Sequence, residues 1–454
     1  MKKRILSAVL ISALLAASLS GCSEETESTP NQQSNSSSQA NNESKPAESS
    51  SSSVESSSSS AEESSSSAPE SSSSKPESSS VLESSSSKPA ESSSKPAQSS
   101  SKPAQSSSKP VTPPVTPKPG NDNDCLIING TTIVGCDPSA KVIEIPDNIT
   151  KIGENAFVDC TNLVSVTIQK SVTTIDDLAF IGCTSLKSIT IPESVIEIGD
   201  NPFSYCNSLS EITVDKNNKV FTAKDGVLYT KTMSELISYP SGKKQTSFTV
   251  PAGVAEIGDS AFDGHSHLTS VTISVGVKSI GDSAFSSCEN LKSISLPAGI
   301  TEIGGYAFEM CEKLSSINIP EGVTEIGESA FYDCVSLKSI KIPGSLSEIG
   351  EDAFWCCEGL TSVEIGNGVT EIDQSAFQNC ISLTSINIPD SVSEIGDFTF
   401  KNCASLTSIK IPDSVIDIGK LAFSDCTKLT NAVYKDKTYS YANIDELYKA
   451  INGR

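Results

Sequence analysis

The sequence predicts an α/β solenoid, with short parallel strands on a concave face, short helical turns on a convex face, hairpin caps and a C-terminal helix. Three observations carry this. A Phe stands at 157, 180, 203, 262, 285, 308, 331, 354, 377, 400 and 423, and every step is 23 residues except that from 203 to 262, which is 59. Ile lies five residues before each Phe and Leu six residues after it. Within a unit such as residues 189–209, Ile-x-Ile followed by Pro alternates like a half-buried strand, whereas Phe-x-x-Cys-x-x-Leu has the period of a single helical or 3₁₀ turn. No unit can bury its Ile, Phe, Cys and Leu alone, so a fixed period in this range means stacked turns that share one core.

Taken in order, residues 1–21 read as an export signal. Lys2, Lys3 and Arg4 precede an apolar stretch, Ile5 to Leu19, that is short for a membrane span. Leu19-Ser20-Gly21-Cys22 resembles the bacterial lipobox, which implies cleavage before Cys22 and acylation of its thiol. The simpler alternative is an ordinary secretory signal. Residues 22–124, the lipidated Cys and a Ser/Pro-rich linker, hold no Phe, Trp or Tyr. Such a segment buries too little surface to offset chain entropy and reads as a disordered tether. Fully stretched it reaches about 350 Å, and as a coil nearer 55 Å, roughly.

Residues 125–142 read as an N-terminal cap hairpin, with Gly130 first in a type II′ turn and Cys125 opposite Cys136. In an exported chain that pair is either a disulfide or two thiols, and the residues leave both open. The solenoid then spans residues 143–432. Its 59-residue step carries a hairpin insertion at about 215–247, with arms at Lys224 to Tyr229 and Leu236 to Pro240. Gly199 and its equivalents, replaced by Asp176 and Asp373 in two units, mark a turn with positive φ. Residues 433–454 form the C-terminal cap, a hairpin around Lys435-Asp436-Lys437 and then a helix. Asn443 and Glu446 have capping-box spacing, Ile444, Leu447, Tyr448 and Ile451 share one face, and Gly453 suits the stop.

The motif Leu186-x-x-Ile189-x-Ile191-Pro192, with Ile198-Gly199 and Phe203-x-x-Cys206, recurs in eleven units and resembles the BspA-like leucine-rich repeat of bacterial surface proteins. The resemblance covers about Ile143 to Leu429. It implies a cell-surface binding module linked to adhesion, and it implies no catalytic residue and no cofactor.

The residues themselves offer little chemistry. Ten Cys follow their Phe by three, with His265 in that place in the remaining unit. One Cys per turn, in parallel, suits small apolar packing better than disulfides or metal ligation. His265 and His267 are the only histidines, so a Ser-His-Asp or Cys-His site lacks a base, and nothing nearby in sequence adds a third ligand to a His-x-His metal pair. Glu197, Glu256, Glu302, Glu325, Glu348, Glu371, Glu394 and Asp417 form an acidic column, which is either a track for cations or a solvated face; the solvated face is the simpler reading. A net charge of −23 with only Arg4 and Arg454 as arginines argues against nucleic acid, since no basic stripe exists to neutralise phosphates.

Variation from unit to unit points to where a partner would be read. The outward strand column is Thr167, Thr190, Thr213, Thr249, Thr272, Ser295, Asn318, Lys341, Glu364, Asn387 and Lys410, uniform at first and varied later. Tyr332 and Trp355 follow their Phe in successive turns. They are either hot-spot anchors, which would outweigh Lys341 and Glu364, or local packing between turns. The whole reads as a monomeric, exported, lipid-anchored protein of the bacterial cell surface that is not an enzyme. It binds the membrane through its N-terminal lipid and recognises a protein or glycan on a host, a neighbouring cell or the envelope. The alternative is a structural envelope component with no specific ligand. The lipobox gives the first expected outcome: Cys22→Ser releases the protein from membranes into the medium, and unchanged co-fractionation with membranes would exclude the lipid anchor.

Overall fold

The computed structural model describes residues 123–453. Each turn contributes to two parallel ladders. In the first, the Ile-x-Ile strands stack in register; Ser188–Ile191 pairs with Glu211–Val214, setting Ile189 beside Ile212 and Ile191 beside Val214. Their alternation turns the Ile and Val inward and leaves Ser188 and Thr190 exposed, as strand geometry requires. In the second ladder, two-residue strands such as Glu197–Ile198 pair through the Ile that lies five residues before each Phe. The sequence pattern anticipates the first ladder; the second is too short to show an alternation.

The rest of each turn is a chain of i→i+3 hydrogen bonds. Cys160 N donates to Phe157 O at 3.1 Å and Leu163 N to Cys160 O at 2.9 Å. The run never becomes a helix, because the residues two before and two after each Phe have φ between 50° and 72°. Positive φ was expected at the Gly199 column, and there the expectation fails. Gly199 is not in the left-handed region; its Cβ would fall 2.5 Å from Asp177 N in the preceding turn, so this glycine answers to close backbone approach. The left-handed residues point every second amide across to the next turn: Asn155 N to Asp177 O, Phe157 N to Ala179 O and Asp159 N to Ile181 O, at 2.8–3.2 Å.

Those bonds hold the Phe column face to face. Phe157 and Phe180 stack at 4.9 Å with planes 2° apart, and the stack continues from Phe262 to Phe423. Beside it run the buried cysteines. Their packing role is as expected, but each thiol also donates: Cys183 Sγ to Phe157 O at 3.2 Å, Cys334 Sγ to Phe308 O at 3.2 Å, Cys426 Sγ to Phe400 O at 3.0 Å. Burial pushes the Cys334 and Cys426 thiols up, Cys426 to about 12, so these two stay protonated donors and poor nucleophiles.

The insertion is a three-stranded meander, Phe221–Lys224, Val227–Thr230 and Glu235–Ser238, where a two-armed hairpin was expected. Asp225-Gly226, with φ of 54° and 77°, makes the first turn and splits the stretch that had been read as one arm. The third strand joins the second ladder, Leu236 beside Ile257, and Tyr239 enters the aromatic column 5.0 Å from Phe262. Buried Asn218 pins the meander: its Nδ2 donates to Pro192 O and Val195 O, and its Oδ1 accepts from Val220 N and Phe221 N.

Both ends are closed. The N-terminal hairpin pairs Leu126–Asn129 with Thr132–Cys136, but a bulge between Ile127 and Ile128 sets Leu126, not Cys125, opposite Cys136. The two cysteines are therefore diagonal neighbours. At the C-terminus the hairpin turns at Lys435 and Asp436, both with positive φ, and the helix runs Ile444–Asn452 to a left-handed Gly453. The capping contact lies one turn earlier than expected: Ser440 N and Oγ donate to Asn443 Oδ1, while Asn443 and Glu446 side chains are 3.5 Å apart. The helix replaces a further turn. Tyr448 stacks on Phe423 and its OH accepts from Phe423 N at 2.8 Å, and Asn452 bonds both Ile418 N and Ile418 O.

The thiol ladder sets a stability prediction. Cys334→Ala removes one S–H donor and leaves a small void, so it lowers unfolding stability by about 1–3 kcal/mol. Urea unfolding measures this, and iodoacetamide should modify Cys334 only after unfolding.

Candidate functional site

The strand face presents two outward columns in register. One is almost all serine, with Ser247, Ser270 and Ser293 paired in sequence. The other is the Thr-to-Lys column singled out above, and all its members are exposed except the partly covered Thr213. In the early turns the hydroxyls of Thr190 and Thr213 bond each other at 2.8 Å. In the later turns Lys341, Glu364, Asn387 and Lys410 are direct register neighbours, two cations and one carboxylate with a neutral amide between Glu364 and Lys410. Lys341 Nζ reaches Glu321 Oε1 at 2.7 Å, which holds its ammonium above the usual lysine range. Both side chains of this ion pair are more than half exposed, so it fixes little and leaves both charges available.

The acidic column lies on the second ladder. Glu302 pairs with Glu325, Glu348 with Glu371, Glu371 with Glu394 and Glu394 with Asp417. Glu235, from the insertion, pairs with Glu256 and joins the column, which the sequence did not reveal because the insertion breaks the period. Partial burial and then the neighbouring carboxylates raise the Glu302 and Glu371 carboxyls above the ordinary range. Among the described residues no group of three or more His, Cys, Asp and Glu is placed to hold a metal ion.

Tyr332 and Trp355 pack against each other edge to face, with ring centroids 5.2 Å apart and planes at 88°. Both are partly buried, and Trp355 Nε1 is buried without a hydrogen-bond partner. The same column carries Ser204, Asp263, Ser286 and Glu309, and here the sequence missed two buried acids. Glu309 Oε2 accepts from Ser286 Oγ at 3.0 Å, and burial pushes the Glu309 carboxyl up to about 7. Burial likewise raises Asp263 to about 7, with the hydroxyls of Ser204 and Tyr205 offsetting part of the effect. The available signal was their shared column with two large aromatics.

The remaining expected residues separate. His265 is buried in the Cys column, its Nδ1 accepting from Leu268 N at 3.1 Å, and burial depresses it to about 4. His267 lies on the surface with Nε2 3.0 Å from Lys244 Nζ. Cys125 and Cys136 sit at the N-terminal cap, whose second strand heads the second ladder. Cys22 lies outside the described residues. No helix among the described residues is long and apolar enough to cross a membrane.

Two ladders, a Phe–Cys core and an insertion at one step define a repeat solenoid. The chain matches the BspA type leucine-rich repeat region, in 6 copies, over residues 132–242, 238–361 and 348–445, and it belongs to that family. No curated protein matches it. Among solved structures it is similar to a leucine-rich repeat protein from Eubacterium ventriosum ATCC 27560, at 26% identity and TM-score 0.49, covering 67% of this chain and 88% of that one. It is also similar to the pneumococcal vaccine antigen PcpA, at 24% identity and TM-score 0.43, covering 69% and 66%. A leucine-rich cell surface protein from Faecalibacterium prausnitzii A2-165 shares 29% identity at TM-score 0.31, covering 67% and 62%.

The buried acids invert the usual carboxylate effect on stability. Asp263, Glu309 and Asp352 titrate near 7 in the fold, and Asp259 and Asp333 near 6, all chiefly through burial. A folded value above the unfolded one means that the fold binds more protons, so stability falls as pH rises from about 4 through about 7. His265 acts oppositely below its ordinary value near 6.5, joined weakly by the more exposed His267, Asp137 and Glu321, and does not offset the five buried carboxyls. The melting temperature at pH 5 should exceed that at pH 8 by several degrees, and Glu309→Gln should flatten the profile.

Proposed function

We propose that this protein is displayed on the bacterial cell surface through lipidated Cys22, and that its solenoid recognises a protein or glycan partner with the strand face of its later turns. The observation that carries this reading is the run Lys341, Glu364, Asn387 and Lys410. These are four exposed polar side chains in consecutive turns, a cation, an anion, a neutral amide and a second cation, on strands whose inward positions are all committed to the core. Strand register spaces such groups about 5 Å apart, a pattern suited to an extended polar partner. Membership of a repeat family with surface-protein relatives supports display and binding. The aromatic pair on the turn face weighs less than its sequence position suggested, because each ring packs on the other. A disulfide between Cys125 and Cys136 would brace the N-terminal cap.

The test starts with the protein as bait for host-cell and envelope extracts, followed by affinity measurements on the captured partner. Lys341→Glu and Glu364→Lys should each weaken binding about tenfold through charge mismatch. Trp355→Ala should lower the melting temperature and leave affinity unchanged. Loss of binding in Trp355→Ala and Tyr332→Ala alone, at unchanged melting, would move the site to the turn face. Failure to capture any partner would favour a purely structural envelope role.

A further inference from the structure

The insertion leaves a defect in the stack, and the defect has the makings of an ion site. In every regular turn the ladder Ile and the column Phe are five residues apart; in the meander their counterparts, Leu236 and Tyr239, are three apart. This turn is therefore short. In the turn before, Leu178, Phe180 and Gly182 donate to Asp200 O, Pro202 O and Ser204 O. Among the described residues, the amides of Asn201, Phe203 and Tyr205 make no such bonds across the defect. The hydrophobic core divides here as well, one cluster ending with the meander and the other beginning there.

A cavity of about 10 Å³ opens at this place, enough for one water-sized particle. Asn201, Tyr239 and Asp263 line it, with the hydroxyls of Ser238, Ser241 and Ser260. Seven buried side-chain polar atoms lack a hydrogen-bond partner among the described residues, and three of them, Asn201 Oδ1, Tyr239 OH and Asp263 Oδ1, belong to this one lining. Asp263 is only 9% exposed, and no Lys or Arg pairs with it among the described ion pairs. A buried carboxylate with no cationic partner, beside two further orphaned oxygens, is a strongly unfavourable arrangement unless something positive sits among them.

We propose that this cavity binds a small hard cation of about the radius of Na⁺ or Ca²⁺, held by Asp263, Asn201 and Tyr239, and that the ion ties the two halves of the core together. The donors named are all oxygen, which selects hard ions over Zn²⁺ or Cu²⁺. A single carboxylate among neutral oxygens matches a monovalent ion or a weakly held divalent one. A neutral water would satisfy the orphaned atoms but would leave the carboxylate to be neutralised by a proton, so the cation is favoured most at pH above about 7.

Thermal melts of the full chain at fixed pH and fixed ionic strength test this, with N-methylglucamine chloride replaced in turn by NaCl, KCl or CaCl₂. Na⁺ or Ca²⁺ should raise the melting temperature by several degrees over N-methylglucamine; Na⁺ alone identifies a monovalent site and Ca²⁺ alone a divalent one. Asp263→Asn should abolish the shift. Tyr239→Phe, which keeps the ring on Phe262 and removes only the hydroxyl, should reduce it. Identical melting in all four salts, a shift that persists in Asp263→Asn, or an undiminished shift in Tyr239→Phe, would overturn the proposal and leave a bridging water in the cavity.

Discussion

The carbonyl of every column Phe except Phe203 and Phe423 accepts two hydrogen bonds, and the rest of the fold depends on this pairing. Phe157 O takes the amide of Cys160 within its own turn and the thiol of Cys183 from the next. The amide of the same Phe donates to Ala179 O. One peptide unit thus closes the local turn and locks it to its neighbour. The thiol suits this place because it is small enough for a fully packed column and still a donor, so no buried acceptor site is wasted. Changing the length of a turn would shift Phe and Cys out of reach together, which explains why the spacing between them never varies even where surface positions do.

Much of this was legible in the sequence. The period, the inward Ile and Leu, the insertion, the terminal helix face and the Gly453 stop follow from residue type and spacing, because burial and chain geometry act on each turn alike. The left-handed positions did not, since they are occupied by residues as unsuited to that region as Phe398, Leu178 and Leu421. Their backbone is set by the inter-turn amides, not by local preference, at a cost of about 1–2 kcal/mol each. The hairpin register at Cys136 was misread because one bulge shifts every pair beyond it. Of the candidate site, the outward column was readable by alternation. The burial of Asp263 and Glu309 was not, since charged residues at an outward-looking position normally remain in water.

The two ends show how a periodic structure is stopped. Tyr448 and Asn452 supply from side chains what a further turn would supply from backbone, an acceptor for Phe423 N and a donor–acceptor pair for Ile418. The insertion solves a different problem. Asn218 and the meander re-enter the second ladder but cannot reproduce the turn segment, so polar groups accumulate where the regular stack would bury only Phe, Ala and Cys.

Because each regular turn presents to its successor the surface it receives from its predecessor, the molecule is built in interchangeable modules. Gene recombination that adds or deletes one 23-residue module between Phe262 and Phe423 would leave every column in phase and merely lengthen or shorten the displayed surface. The same event across the meander would remove a segment that no other turn duplicates. Length polymorphism, if strains of the source organism carry it, should therefore fall in whole modules on the C-terminal side of the insertion.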